Sequence, residues 1–159
     1  MYMISMKSPS QRAAPPLSNM ICFSVYAAGL AFNRLYKNLL DGFNLTYPQF
    51  LVLVVLQQGG PVNVSALGEA LFLESNTLTP LLKRMEASGL VTRKRDKVDE
   101  RVVQISLTKA GAKLADNIGC IPPQVLQATH LGLREVTALT ANLHGLANNL
   151  RKHTDVLRG

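Results

Sequence analysis

The chain has 159 residues and a mass of 17.3 kDa, about one domain's worth of sequence, which excludes a large multidomain enzyme. With 47% hydrophobic and 17% charged residues it can bury a core and lacks the composition of a disordered chain. Seventeen Lys and Arg against ten Asp and Glu give a formal charge of +7 and a pI near 9.7, which points to a polyanionic partner, nucleic acid first.

Residues 1–16 hold Pro9, Pro15 and Pro16 among Ser, Gln and Ala and read as a flexible tail. Residues 17–41 form the first long helix, with Ser18 or Asn19 as N-cap and Gly42 as the stop. Its apolar residues nearly encircle it, so it should be buried, and in a chain this small a second copy is the simplest cover. Lys7 and Arg12 ahead of uncharged residues 20–32 imitate the start of a signal peptide. Helical spacing continues through Arg34 and Lys37 to Leu40, however, and favours the apolar face of a helix. The longest purely apolar run, residues 50–56, is far short of the ~20 residues that cross a bilayer, so no membrane association is expected.

Thr46 opens a second helix with Pro48 in its first turn, and Gly59-Gly60-Pro61 breaks it. Residues 62–64 suit a short extended piece, after which Ser65 is the expected cap of a short helix bearing Leu67, Ala70 and Leu71. A turn at residues 73–76 leads to a helix whose Leu78, Leu81, Leu82 and Met85 share one face. Asn76, Pro80, Lys83, Arg84 and Ala87 fall on the other face, and Gly89 closes the helix. Two short helices joined by a tight turn, the second with a small and basic outer face, are what a helix-turn-helix lays into a major groove.

Residues 90–107 alternate in their second half, with Val103, Ile105 and Leu107 on one side, and read as a β-hairpin with its tip near residues 96–100. The stretch from Lys83 onward gathers Arg84, Arg93, Lys94, Arg95, Lys97 and Arg101. A hairpin directly after a recognition helix is a wing, and arginines on its tip suit a narrow minor groove. A helix follows from Thr108 to about Asn117. After Pro122-Pro123, which should kink or break the chain's course, helical spacing resumes through Leu126, Leu133, Leu139, Leu143 and Leu146 to Leu150.

Asp99, Glu100 and Arg101 followed by VVQISLTKAG over residues 102–111 resemble the D-x-R wing motif and L-T-x-x-G of the MarR-type winged-helix repressors. TLTPLLKRM over residues 77–85, with Gly89, Leu90 and Val91, resembles their recognition helix and the start of the wing. The likeness extends over roughly residues 17–150. It implies a mostly α fold with a small β-hairpin wing (α+β), in which a winged helix-turn-helix at 46–108 lies between dimerisation helices at 17–42 and 109–157. The whole of 17–159 would be a single domain. Within the family, Cys22 in the first helix, Tyr36 near its end, LTYPQF over residues 45–50 and Pro80 resemble the OhrR group, repressors that sense organic hydroperoxides through a cysteine of the first helix.

The resemblance implies a homodimer on a pseudo-palindromic double-stranded DNA operator in the cytoplasm, with an organic hydroperoxide as inducer. Thiolate attack on an O–O bond requires donors that stabilise the thiolate, and the first product is a sulfenic acid. Tyr26 lies one helical turn from Cys22, while the resemblance implies that Tyr36 and Tyr47 also reach it. Phe23, Phe32 and Phe50 would favour an alkyl or lipid peroxide over hydrogen peroxide. In relatives with a second, resolving cysteine that residue stands about where Gln127 stands here. Cys120 lies seven residues earlier, about 10 Å of helix, and departs from the pattern. It is a candidate resolving cysteine, the alternative is a one-cysteine route in which a small thiol caps Cys22 or over-oxidation occurs, and a purely structural Cys120 stays open.

For DNA the expected contacts are Thr77, Thr79, Lys83 and Arg84 on the recognition helix and Arg101 on the wing, with Asp99 orienting Arg101. Lys94, Arg95 and Lys97 are expected on phosphates. The competing readings are a thiol peroxidase and a repressor released by a small aromatic ligand with Cys22 inert. No catalytic constellation supports an enzyme. The two distant cysteines, with His130, His144 and His153 on or near the last helix, have no metal-ligand spacing, so neither metal nor cofactor is expected.

Overall fold

The structure is a computed structural model that describes residues 15–96, 99 and 101–158. The chain is mostly helical with a small antiparallel sheet, and it divides into two compact units between Leu35 and Tyr36.

In the first unit a 3-10 turn, Leu17–Asn19, is closed by the Asn19 N–H on the Pro16 carbonyl at 2.8 Å. The following helix, α1 (Ile21–Asp41), whose last turns belong to the second unit, starts four residues later than the spacing suggests. The cause is Met20, whose extended backbone (φ −96°, ψ 114°) separates the turn from the helix, so neither Ser18 nor Asn19 caps it. Ile21, Phe23, Val25, Tyr26, Leu30 and Phe32 stay exposed on this single chain. The expected tail lies outside the described residues up to residue 14.

The second unit contains the core. α2 (Tyr47–Gly59) starts at Thr46, whose N–H donates to Gln49 Oε1 at 2.8 Å, with Pro48 in the first turn, and ends at Gly60 with φ 71°. β1 (Val62–Asn63) pairs antiparallel with residues 104–105, so the short extended piece is a strand of the sheet. α3 (Val64–Leu71) is capped by Asn63 and not by Ser65: the Asn63 side-chain oxygen accepts the Ala66 N–H at 2.7 Å. Asn63 ends a strand, and its extended φ and ψ already have the geometry an N-cap requires.

Phe72 leaves α3 in the left-handed region (φ 55°), and α4 (Ser75–Ala87) follows after a tight turn. Leu78, Leu81, Leu82 and Met85 of α4 are buried as their spacing requires, together with Leu40, Phe50, Leu53, Leu56, Leu67, Val91 and Ile105. Gly89 (φ 70°) turns the chain, with the Leu90 N–H on the Met85 carbonyl. β2 (Val91–Arg95) and β3 (Val103–Leu107) form the hairpin in the order β1-β3-β2, with Val91 opposite Leu107 and Arg93 opposite Ile105.

One hydroxyl joins the base of this hairpin to the next helix. Thr108 Oγ1 donates to the Gly89 carbonyl at 2.6 Å and accepts the Gly111 N–H at 2.9 Å, which caps α5 (Lys109–Asn117). Gln57 of α2 donates to Asp116 of α5 at 2.8 Å. A 3-10 turn, Ile118–Cys120, precedes α6 (Ile121–Thr129), and Pro122 and Pro123 stand in the first turn of that helix. There their missing N–H groups leave no bond broken, so the proline pair opens a helix after the break and does not kink one.

The helix expected from the prolines to Leu150 is two helices. His130 takes a left-handed conformation (φ 54°), the Thr129 hydroxyl accepts the Leu131 N–H, and α7 (Leu133–Arg158) starts beyond Gly132. Leu133, Leu139, Leu143 and Leu150 of α7 are exposed, while Arg151 lays its guanidinium 3.8 Å above the centre of the Phe72 ring.

Candidate functional site

α4 turns its apolar stripe into the core and leaves Asn76, Thr77, Pro80, Lys83 and Arg84 exposed, with Thr79 half-buried. The helix therefore presents a small polar half followed by two cations. Pro80 removes one internal N–H from the helix without stopping it.

The wing tip is built by carboxylates acting on backbone. Asp99 Oδ1 accepts the Arg101 N–H at 3.0 Å, the Asp99 carbonyl accepts the Val102 N–H at 2.9 Å, and Asp96 Oδ1 accepts the Asp99 N–H at 3.3 Å. Asp99 thus holds Arg101 by its main chain, where a side-chain pair was expected. Lys94, Arg95 and Arg101 are exposed; Lys97 lies outside the described residues.

Two of the expected DNA residues share a cleft. Thr79 and Arg101 line one cleft of about 350 Å³, which Asn63, Ser65, Arg93 and Val103 complete. Arg93 was missed as a site residue. Its register opposite buried Ile105 puts a charge on the core-facing side of the hairpin, a signal that appears only once the strands are paired.

The thiol residues divide between the units. Cys22 is exposed in α1, and Tyr26 packs its ring against Phe23 at 6.4 Å. Tyr36 and Tyr47 come together in the second unit, their rings 4.3 Å apart, with Phe50 at 5.5 Å and 6.1 Å. Burial raises both phenol pKa values above the usual tyrosine value, and for Tyr36 the neighbouring Tyr47 adds to the effect. Both are therefore protonated at neutral pH and able to donate. Cys120 is exposed, with its Sγ 3.4 Å from the Asn117 carbonyl. Among the described residues no group of three His, Cys, Asp or Glu could hold a metal, and no helix is long and apolar enough to cross a membrane.

A helix-turn-helix with an exposed basic second helix, followed by a hairpin that pairs with the strand preceding it, is the architecture of a winged-helix domain. The family model of the SarA/Rot transcriptional regulators matches residues 34–118. The HTH-type transcriptional regulator TtmR of Methylorubrum extorquens is 48% identical over 84% of this chain and 69% of its own length. The organic hydroperoxide resistance transcriptional regulator of Bacillus subtilis is 43% identical, over 86% of this chain and 92% of that protein. Reduced AbfR bound to DNA, a protein of Staphylococcus epidermidis, superposes with a TM-score of 0.69 at 34% identity, covering 84% of this chain and 94% of that one. The disulfide form of AbfR gives 0.61 at 36% identity, over 82% and 92%. The chain belongs to the MarR-type winged-helix transcriptional regulators, and within them it resembles the organic hydroperoxide regulators.

Proposed function

We propose that the chain is a homodimeric repressor that holds a pseudo-palindromic DNA operator while Cys22 is reduced and releases it when an organic hydroperoxide oxidises Cys22. The observation that carries the redox part is the free, exposed thiol of Cys22 on a first helix that also exposes the apolar rings of Phe23 and Phe32. The likeness to a hydroperoxide regulator and to a regulator solved both reduced on DNA and with a disulfide formed supports it.

In this reading the Cys22 thiolate attacks one peroxide oxygen. The O–O bond breaks, an S–O bond forms, and the alkoxide leaves as the alcohol after taking a proton, so the sulfur is oxidised to sulfenic acid and the peroxide reduced. Tyr36, Tyr47 and Tyr26 are assigned as donors to the thiolate. A second thiol then condenses with the sulfenic acid, forming a disulfide and releasing water. That thiol is either Cys120 of the other subunit or a small cellular thiol. Non-reducing electrophoresis after one equivalent of oxidant separates the two: a reducible dimer band that Cys120→Ser abolishes identifies the bridge, and a monomer with the added mass of the small thiol identifies the cap.

The apolar residues left exposed on α1 and α7 support dimerisation through residues 17–42 and 109–157. Residues 46–108 read the DNA: Thr77, Thr79, Lys83 and Arg84 in the major groove, Arg101 in the minor groove, and Lys94, Arg95 and Lys97 on phosphates. Asp99 shapes the turn that carries Arg101. Arg101→Ala is expected to weaken operator binding by about 1–3 kcal/mol, measured by gel shift at fixed salt; unchanged affinity removes Arg101 from the interface. Such a protein works in the cytoplasm and needs neither metal nor cofactor.

One observation favours a second reading, release by a small aromatic ligand. A cleft of about 590 Å³ lies between the helix-turn-helix and α7, lined by Phe72, Leu73, Leu78, Glu69 and Arg151, a size in the range of small-molecule sites. The test of the two is operator release by peroxide in the wild type and in Cys22→Ser.

A further inference from the structure

When a recognition helix lies in a major groove and a wing tip in the adjacent minor groove, the DNA strand dividing the grooves passes between them. In this chain the space between those elements is the cleft bounded by Thr79 of α4, Ser65 at the start of α3, and Arg93 and Arg101 of the hairpin. Arg93 stands opposite Ile105, which is fully buried, so its side chain leaves the sheet on the core-facing side. An arginine there needs partners for its five donors. Its Nη1 reaches Glu86 Oε2 of α4 only at 3.7 Å, and its buried Nε has no hydrogen-bond partner.

Among the described residues the cleft lining brings two guanidiniums and no carboxylate, and the hydroxyls of Ser65 and Thr79 add neutral donors. The N-terminal end of α3 contributes a partial positive charge from the helix dipole. A planar guanidinium with spare donors beside hydroxyls matches the oxygens of a phosphate. A volume of about 350 Å³ admits a phosphate with part of its sugar.

We propose that this cleft binds one phosphodiester of the operator backbone, with Arg93 as its principal charged ligand. The proposal rests on the DNA-binding reading above and adds a site that fixes the register of helix and wing on the strand between them. Glu86 lies on α4 at 3.7 Å from the guanidinium and competes with the phosphate for its donors.

The test uses the full-length protein on a duplex of its own promoter region, with Arg93→Met, Arg93→Lys, Glu86→Gln and single methylphosphonate substitutions in the DNA. Arg93→Met is expected to weaken specific and non-specific duplexes alike, roughly tenfold per half-site, and to lower the slope of log affinity against log salt by about 0.9 per half-site. Glu86→Gln should bind at least as well as the wild type. If Arg93 is merely the structural partner of Glu86, the two variants lose affinity together, and the proposal falls.

The methylphosphonate arm does not depend on how a variant folds. One neutralised phosphate per half-site should weaken the wild type about as much as Arg93→Met does and cost Arg93→Met little more, with Arg93→Lys in between. Equal losses for wild type and Arg93→Met at every position overturn the assignment. Inorganic phosphate, against chloride at equal ionic strength, should have no specific effect. Specific competition that Arg93→Met abolishes would make the cleft a free-phosphate site and overturn the backbone assignment. A wild type that binds no duplex overturns the DNA-binding reading itself, which keeps the two failures apart.

Discussion

One equivalent of cumene hydroperoxide per subunit is expected to release the reduced wild type from its promoter duplex, while Cys22→Ser stays bound. Each tenfold loss of affinity requires about 1.4 kcal/mol of coupling between the sulfur and the DNA surface, and a switch that empties an operator needs two such factors. The expected shift is therefore about a hundredfold in apparent Kd for the wild type and none for the variant. A thiol reductant should restore binding if the product is a disulfide. It should not if oxidation has passed to the sulfinic acid. Release of both proteins by peroxide would discard Cys22 as the sensor. Retention of both would leave the winged helix as it is and turn attention to the cleft beneath Arg151.

Gly111→Ala is expected to be the most damaging single methyl group in the described chain. A Cβ on Gly111 would fall inside contact distance of the Leu90 carbonyl oxygen and beside its carbon, and both are backbone atoms with no rotamer to change. The first turn of α5 would have to back away from the base of β2 and stretch the Thr108 bonds described above. Overpacking of this kind costs about 3 kcal/mol, a fall in Tm of roughly 6–12 °C for a chain of this size. Gly119→Ala is the control, since nothing lies within 4 Å of its added methyl. Thermal melts at one protein concentration check the pair, and equal Tm values for Gly111→Ala and wild type would refute the clash.

Much of this architecture was legible in the residue pattern because two periodicities mark it plainly. Leu78, Leu81, Leu82 and Met85 define the inward stripe of α4, and Val103, Ile105 and Leu107 the alternation of β3. Gly89 sits where a left-handed turn is needed. Caps and breaks were less legible, since several residues compete for them. Ser65 looked like a cap, yet Asn63 wins because the strand before it already has the right backbone angles. No glycine or proline marks residue 130 itself, so the break before α7 was invisible: a histidine adopts the left-handed turn there. In the site, Arg93 was hidden among neighbouring cations, and only the pairing with Ile105 distinguishes it. The contact of Arg151 with Phe72 joins residues far apart in sequence and had no local signal.

The Thr108 hydroxyl, bonded at once to the end of the recognition helix and to the first turn of α5, has a mechanical consequence. Together with the glycine beneath it, it welds α4, the hairpin and α5 into one stiff reading head whose internal geometry is costly to distort. Closely packed assemblies of this kind move as rigid bodies about their margins and do not deform continuously. A signal that loosens the protein from DNA is therefore expected to tilt this head about its connections more than to reshape its recognition surface.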